Sequence, residues 1–78
     1  MPSASEIRAV LLEHLAGGAP VPRGVLLNAV AARSGVPAIQ RKLRAQVAHE
    51  LRALEAEGRI VDGGPLVWLD PARGADAP

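Results

Sequence analysis

The sequence contains no cysteine, and its two histidines, His14 and His49, lie far apart in the chain. These absences exclude disulfides, thiolate zinc sites and cysteine nucleophiles. At 78 residues the chain is near the size at which one hydrophobic core becomes sufficient, so a second domain is not expected. We predict one domain that is stabilised by packing alone and holds neither a metal ion nor a cofactor.

Phenylalanine and tyrosine are also missing, and Trp68 is the one aromatic residue. Proteins that bind single-stranded nucleic acids stack bases on aromatic rings, so the sequence gives that class little support. No apolar run approaches the roughly 20 residues that span a bilayer, and the first residues lack the pattern of a signal peptide. We expect a soluble, cytoplasmic protein with no membrane partner, and we expect Trp68 to lie in the core.

The formal net charge is only +1, which taken alone argues against a nucleic-acid-binding protein. The charges are unevenly distributed, however, because residues 23–52 contain a single acid, Glu50. The same range contains six basic residues: Arg23, Arg33, Arg41, Lys42, Arg44 and Arg52. A local basic stripe matters more for binding nucleic acid than the total charge does.

Apolar spacing predicts three helices. The first begins after Ser3, which with Glu6 matches a capping box, and runs to about Ala16. The second covers residues 23–33. The third has apolar residues at intervals of 4, 4, 4 and 3 from Ile39 to Leu54, with Pro37 in its first turn and Gly58 at its end.

The remainder predicts a β-hairpin, with strands at 59–62 and 66–69 joined through Gly63-Gly64-Pro65. Residues 19–22 contain two prolines and are expected to be extended. The predicted fold is mainly α with a small β-hairpin, in one domain over residues 1–69. Residues 70–78 are predicted to form a flexible tail because they offer little to bury.

The segment from Leu51 to Val61, Leu-Arg-Ala-Leu-Glu-Ala-Glu-Gly-Arg-Ile-Val, resembles the end of the recognition helix and the first wing strand of bacterial winged helix-turn-helix regulators. The resemblance covers roughly residues 5–69 and implies a three-helix winged helix-turn-helix fold. It also implies DNA binding through the outer face of the third helix. A fold specifies an activity only weakly, so the function depends on that face.

At 100° per residue, the polar face of the third helix lies opposite its apolar stripe. Arginine can bind guanine or phosphate in a bidentate way, and alanine allows close approach to base edges. The candidate DNA-binding residues on this helix are Arg41, Lys42, Arg44, Ala45, Gln46, Ala48, His49 and Arg52. Further candidate phosphate contacts are Arg23 and Arg33 on the second helix and Arg59 at the base of the wing.

The sequence leaves open where the third helix begins and what its charged face does. The distance from Gly35 to Leu51 implies either an extended third helix or a short extra turn near residues 37–42, in which case Arg41 and Lys42 sit in a turn. The charged face could also be the solvated side of an amphipathic helix. Glu50, Glu55 and Glu57 are expected to be solvated acids, because no convergent pocket is evident.

We therefore expect a small transcriptional regulator that binds double-stranded DNA with its third helix in the major groove. It is not expected to be an enzyme or to bind a small-molecule substrate. Leu12 and Ala9 are a candidate homodimer interface, since a module this small gains affinity from a second copy or a partner protein. The alternatives are a winged-helix module that docks onto proteins in a larger, phage or nucleic-acid-processing complex, and binding of structured RNA.

Overall fold

The computed structural model describes residues 1–71, and within this range three helices pack with a small antiparallel sheet. In chain order the elements are α1 (Ala4–Leu15), β1 (Val21–Pro22), α2 (Arg23–Ser34), α3 (Arg41–Ala56), β2 (Ile60–Asp62) and β3 (Leu66–Leu69). The prediction of a mainly helical chain ending in a hairpin is confirmed. No helix in residues 1–71 has the length and apolar character needed to cross a membrane.

The start of α1 is fixed by Ser3, whose hydroxyl oxygen accepts a hydrogen bond from the Glu6 backbone N–H at 3.2 Å. This bond satisfies one of the amide groups that a helix leaves unpaired at its first turn. The Ser3 hydroxyl also lies 3.2 Å from Oε1 of Glu6. The predicted N-cap is therefore confirmed.

The core is formed by one stripe from each helix and by the inward side of the sheet, as the apolar spacing predicts. Its members are Ile7, Val10, Leu11 and Leu15 of α1, Leu26, Val30 and Ala31 of α2, Leu43, Val47, Leu51 and Leu54 of α3, and Ile60 and Val67 of the strands.

The sheet has three strands in the order β1-β3-β2, one more than the predicted hairpin. Val21 pairs with Val67 and Pro22 with Leu66, so the proline-containing segment 19–22 ends as an edge strand. Proline has no N–H to donate to a neighbouring strand and is tolerated at such an edge. A strand of two residues is too short to show an alternating pattern of apolar and polar side chains. The sequence therefore predicts only an extended segment here.

The third helix begins at Arg41, and the prediction that Ile39 belongs to its apolar stripe is wrong. The Gln40 N–H donates to the Pro37 carbonyl at 3.0 Å and closes a turn before the helix, so Pro37 does not lie in its first turn. Ile39 is 84% exposed, whereas Ala38 packs against the core. Of the two open alternatives, the extra turn is the one observed, although Arg41 already lies on the helix.

Trp68 is not a core residue, contrary to expectation. Val67 is fully buried, and successive side chains of a strand point to opposite faces, so Trp68 lies on the outer face of the sheet, half-buried opposite Val61. Asp70, which the sequence predicts to belong to a tail at 70–78, is part of the hairpin instead. The Asp70 N–H donates to the Arg59 carbonyl at 3.0 Å and extends the hairpin pairing, and residues 72–78 lie outside the described range.

Candidate nucleic-acid interface

The outer face of α3 carries an exposed cluster of cations. Its position follows from the core, because Leu43, Val47 and Leu54 fix which side of the helix points inward. The residues that the sequence placed opposite this side are exposed, with Ala48 half-buried: Arg41, Lys42, Arg44, Ala45, Ala48, His49 and Arg52. The structure thus brings most of the predicted set onto one accessible surface.

The first turn of α3 combines this charge with free backbone donors. Gln40 occupies the N-cap position without capping the helix through its side chain, and the first turn contains no acid. Positive side chains at a helix N-terminus oppose the helix dipole, which favours negative charge there. Arg41, Lys42 and Arg44 are therefore placed where they do not stabilise the helix.

The salt bridges among residues 1–71 leave these cations unpaired. Four ion pairs form, and each one takes its arginine from α1 or α2: Arg8–Glu50, Arg8–Glu57, Arg23–Asp62 and Arg33–Glu13. None involves Arg41, Lys42, Arg44 or Arg52. The four acids of these pairs therefore bind arginines of α1 and α2 and do not neutralise the positive field of α3.

Glu50 is a buried member of one of these pairs, so its assignment as a solvated acid is wrong. Arg8 Nε donates to Glu50 Oε1 at 3.0 Å, and the same guanidinium group binds Glu57. The hydrogen bond from Arg8 holds the pKa of Glu57 below its ordinary value. Arg8 thereby ties α1 to the C-terminal half of α3. Glu55, in contrast, is exposed, as expected.

Arg23 and Arg33, the predicted phosphate contacts of α2, are both engaged by acids. Arg23 Nη1 lies 2.5 Å from Asp62 Oδ2, and this hydrogen bond lowers the pKa of Asp62. Arg33 Nη2 lies 3.1 Å from Glu13 Oε2 in a pair that is open to solvent on both sides. Such an exposed pair holds its members weakly.

No protein-family model, curated protein or solved structure matches the chain. A proposal for the function of this chain therefore rests on the geometry of the site alone. Within residues 1–71, no group of three or more His, Cys, Asp or Glu side chains is placed to hold a metal ion.

An open groove of about 510 Å³ separates the start of α2 from α3. Its floor is apolar and its rim is basic. The floor includes Leu27, Val47 and Leu51, and the rim includes Arg23, Arg41 and Arg44. Three arginines from two helices therefore line one concave surface.

The remaining predicted contacts are less accessible. Gln46 is half-buried, and its Oε1 is buried without a hydrogen-bond partner, so this oxygen is not presented to a base. Arg59 is half-buried directly before β2. Leu12 is half-buried and packs against the core, which leaves only the small Ala9 exposed at the predicted dimer interface. These two residues therefore present little apolar surface, and pairing of two copies through α1 stays a prediction.

Proposed function

We propose that the protein is a winged helix-turn-helix module that binds double-stranded DNA, with α3 in the major groove, and that it acts as a small transcriptional regulator. The observation that carries this proposal is the set of four exposed cations on α3 that form no salt bridge in the described part of the chain. The helices, their order and the hairpin that follows them are compatible with the winged-helix layout.

The cost of this arrangement supports a binding role. Cations at the N-terminus of α3 oppose the helix dipole, at about 0.3–1 kcal/mol each when exposed. An anion bound there would interact favourably with both the side chains and the free amide groups. Residues that break a local rule of stability without a compensating contact are expected at functional sites. In the proposed complex, Arg41 and Lys42 contact phosphates, while Ala45, Ala48, His49 and Arg52 approach the bases.

The proposal is tested by the triple variant Arg41→Ala, Arg44→Ala, Arg52→Ala in a salt series. Binding of a fluorescein-labelled duplex would be followed by anisotropy from about 50 to 200 mM salt. Each cation that neutralises a phosphate contributes about −0.9 to the slope of log K against log salt. We expect the triple variant to lose affinity strongly and its slope to flatten by up to about 2.7.

The matched control replaces the same three residues with lysine. Lysine keeps the charge but lacks the planar fork of arginine, so phosphate attraction persists while bidentate recognition of guanine is lost. We expect the lysine variant to retain the salt slope. The proposal fails if the wild type shows no affinity at low salt, or if the alanine variant binds as tightly. A duplex RNA competitor that displaces the DNA efficiently would favour structured RNA as the target.

Docking onto another protein is the second candidate, and the outer face of the sheet favours it. Leu66 is 40% exposed and shares this face with Trp68 and Val61, so the wing presents apolar rather than basic side chains. An apolar docking face buries no phosphate and binds with little dependence on salt. A wild-type protein that ignores DNA at low salt would shift the assignment to this function.

A further inference from the structure

Arg23 lies on the rim of the groove, but its guanidinium group is bound to the wing. Nη1 donates to Asp62 Oδ2 at 2.5 Å, and the Arg23 backbone N–H donates to the Pro65 carbonyl at 3.0 Å. Asp62 is itself held in place, because its other oxygen accepts the Gly64 N–H at 3.0 Å. The start of α2 and the wing are therefore joined at this point by two hydrogen bonds, and a third, within the wing, orients Asp62.

We propose that the groove between α2 and α3 receives a backbone phosphate of DNA, and that Asp62 competes with this phosphate for Arg23. This inference rests on the proposed DNA-binding function. The acidic wing thereby weakens DNA binding. The Asp62 carboxylate occupies the position at which a phosphate oxygen would otherwise bind the guanidinium group of Arg23.

Charge and geometry both support the competition. Arg41 and Arg44 face the same groove and form no salt bridge within residues 1–71, so an anion in the groove would meet two available guanidinium groups and a third that is already neutralised. The Asp62 side chain is 17% exposed, so its charge is only partly screened by water. A phosphate in the groove would be attracted by the arginines and repelled by Asp62.

The test is the variant Asp62→Asn, which removes the charge but keeps a side-chain oxygen for the Gly64 N–H. We expect duplex DNA to bind about threefold more tightly, which is the scale of one ion pair at a protein surface. The salt slope should become steeper by up to about 0.9, because the released Arg23 adds one cation to those that neutralise phosphate in the groove. Both quantities are measured with the labelled duplex and the full chain, after circular dichroism has confirmed that the variant is folded.

Glu55→Gln is the matched control. Glu55 accepts the Asp62 backbone N–H at 3.3 Å and lies on α3, so its removal changes the net charge equally and in the same region. Glutamine can still accept that hydrogen bond, and no arginine is released. We expect a smaller gain in affinity and an unchanged salt slope. In an Arg23→Gln background, Asp62→Asn should give no more than this control.

An Asp62→Asn variant that binds no better than Glu55→Gln overturns the competition while the proposed function stands. Weaker binding also overturns it and makes Asp62 a positioning residue for Arg23. A wild type without affinity for DNA removes the proposed function and this inference together.

Discussion

At the scale of single residues, the contact between Gly63 and Trp68 shows how the outer face of the β2–β3 hairpin is built. A methyl group on Gly63 would lie 2.6 Å from Cζ3 of Trp68 and 3.1 Å from the Leu66 carbonyl oxygen. The indole ring therefore covers the backbone at the base of the turn, and only glycine leaves room for it. Trp68 is fixed there although it is outside the core.

We predict that Gly63→Ala destabilises the protein by about 1 kcal/mol, the lower range for overpacking, because the indole ring must shift. Urea unfolding followed by circular dichroism would measure the loss, and the Trp68 fluorescence spectrum should change. Gly17→Ala is the control, since a methyl group there meets no atom within 4 Å. Equal stability of the two variants, with unchanged fluorescence, would show that the ring does not pack on Gly63.

The environment of individual side chains was the least predictable level. A lone tryptophan near three helices is usually buried, yet the strand can point only one of two neighbours inward, and Val67 takes that place. When all four residues of a strand are apolar, the sequence does not show which two of them point toward the core. The sequence does not predict that Glu50 is buried in an ion pair, because its partner, Arg8, is 42 residues away in the chain.

At the scale of elements, the boundary that most affects the site is the start of α3. The apolar interval of four continues backwards from Leu43 to Ile39, so periodicity alone predicts a longer helix. The turn closed between Pro37 and Gln40 overrides that pattern and lets Ala38 contact the core instead. The C-terminal ends of α1 and α2 are predictable because glycine follows each of them closely.

The corrected boundary leads to a prediction about two residues of the same apolar spacing. Ile39→Ala should change the free energy of unfolding by less than about 0.5 kcal/mol, because the side chain is already in solvent. Leu43→Ala should cost about 2–5 kcal/mol, because it leaves a cavity beneath α3. Urea unfolding of both variants would compare them. Similar losses at the two positions would mean that the helix begins before Ile39.

At the scale of the whole molecule, the ion pairs join the elements of the fold and leave the proposed binding face of α3 uncompensated. Arg8 joins α1 to α3, and Arg23 joins α2 to the β2–β3 hairpin, while the cations of α3 face outward. The sequence predicted the basic stripe from composition and helical spacing. It could not predict which arginines the acids would neutralise, because the pairs of Arg8 and Arg23 join residues about 40 positions apart and depend on the finished packing.

These pairs determine how stability responds to acid. The pKa of Glu57 is lowered in the folded protein by the hydrogen bond from Arg8, and that of Asp62 by Arg23. A carboxyl group whose pKa is lower in the folded state stabilises the fold above its unfolded pKa, and this contribution is lost as the pH falls through the folded value. Stability should therefore decrease below about pH 4.5.

We predict that Arg8→Met lowers the free energy of unfolding more at pH 7, where it leaves Glu50 buried and unpaired, than in acid, where the wild type itself progressively loses the Arg8–Glu57 pair. Urea unfolding between pH 3 and 7 would measure the gap between the two proteins. Arg33→Met makes the same charge change in a pair exposed to solvent and should give a small gap. A gap for Arg8→Met that stays constant with pH would show that packing of the Arg8 stem, rather than its charge, joins α1 to α3.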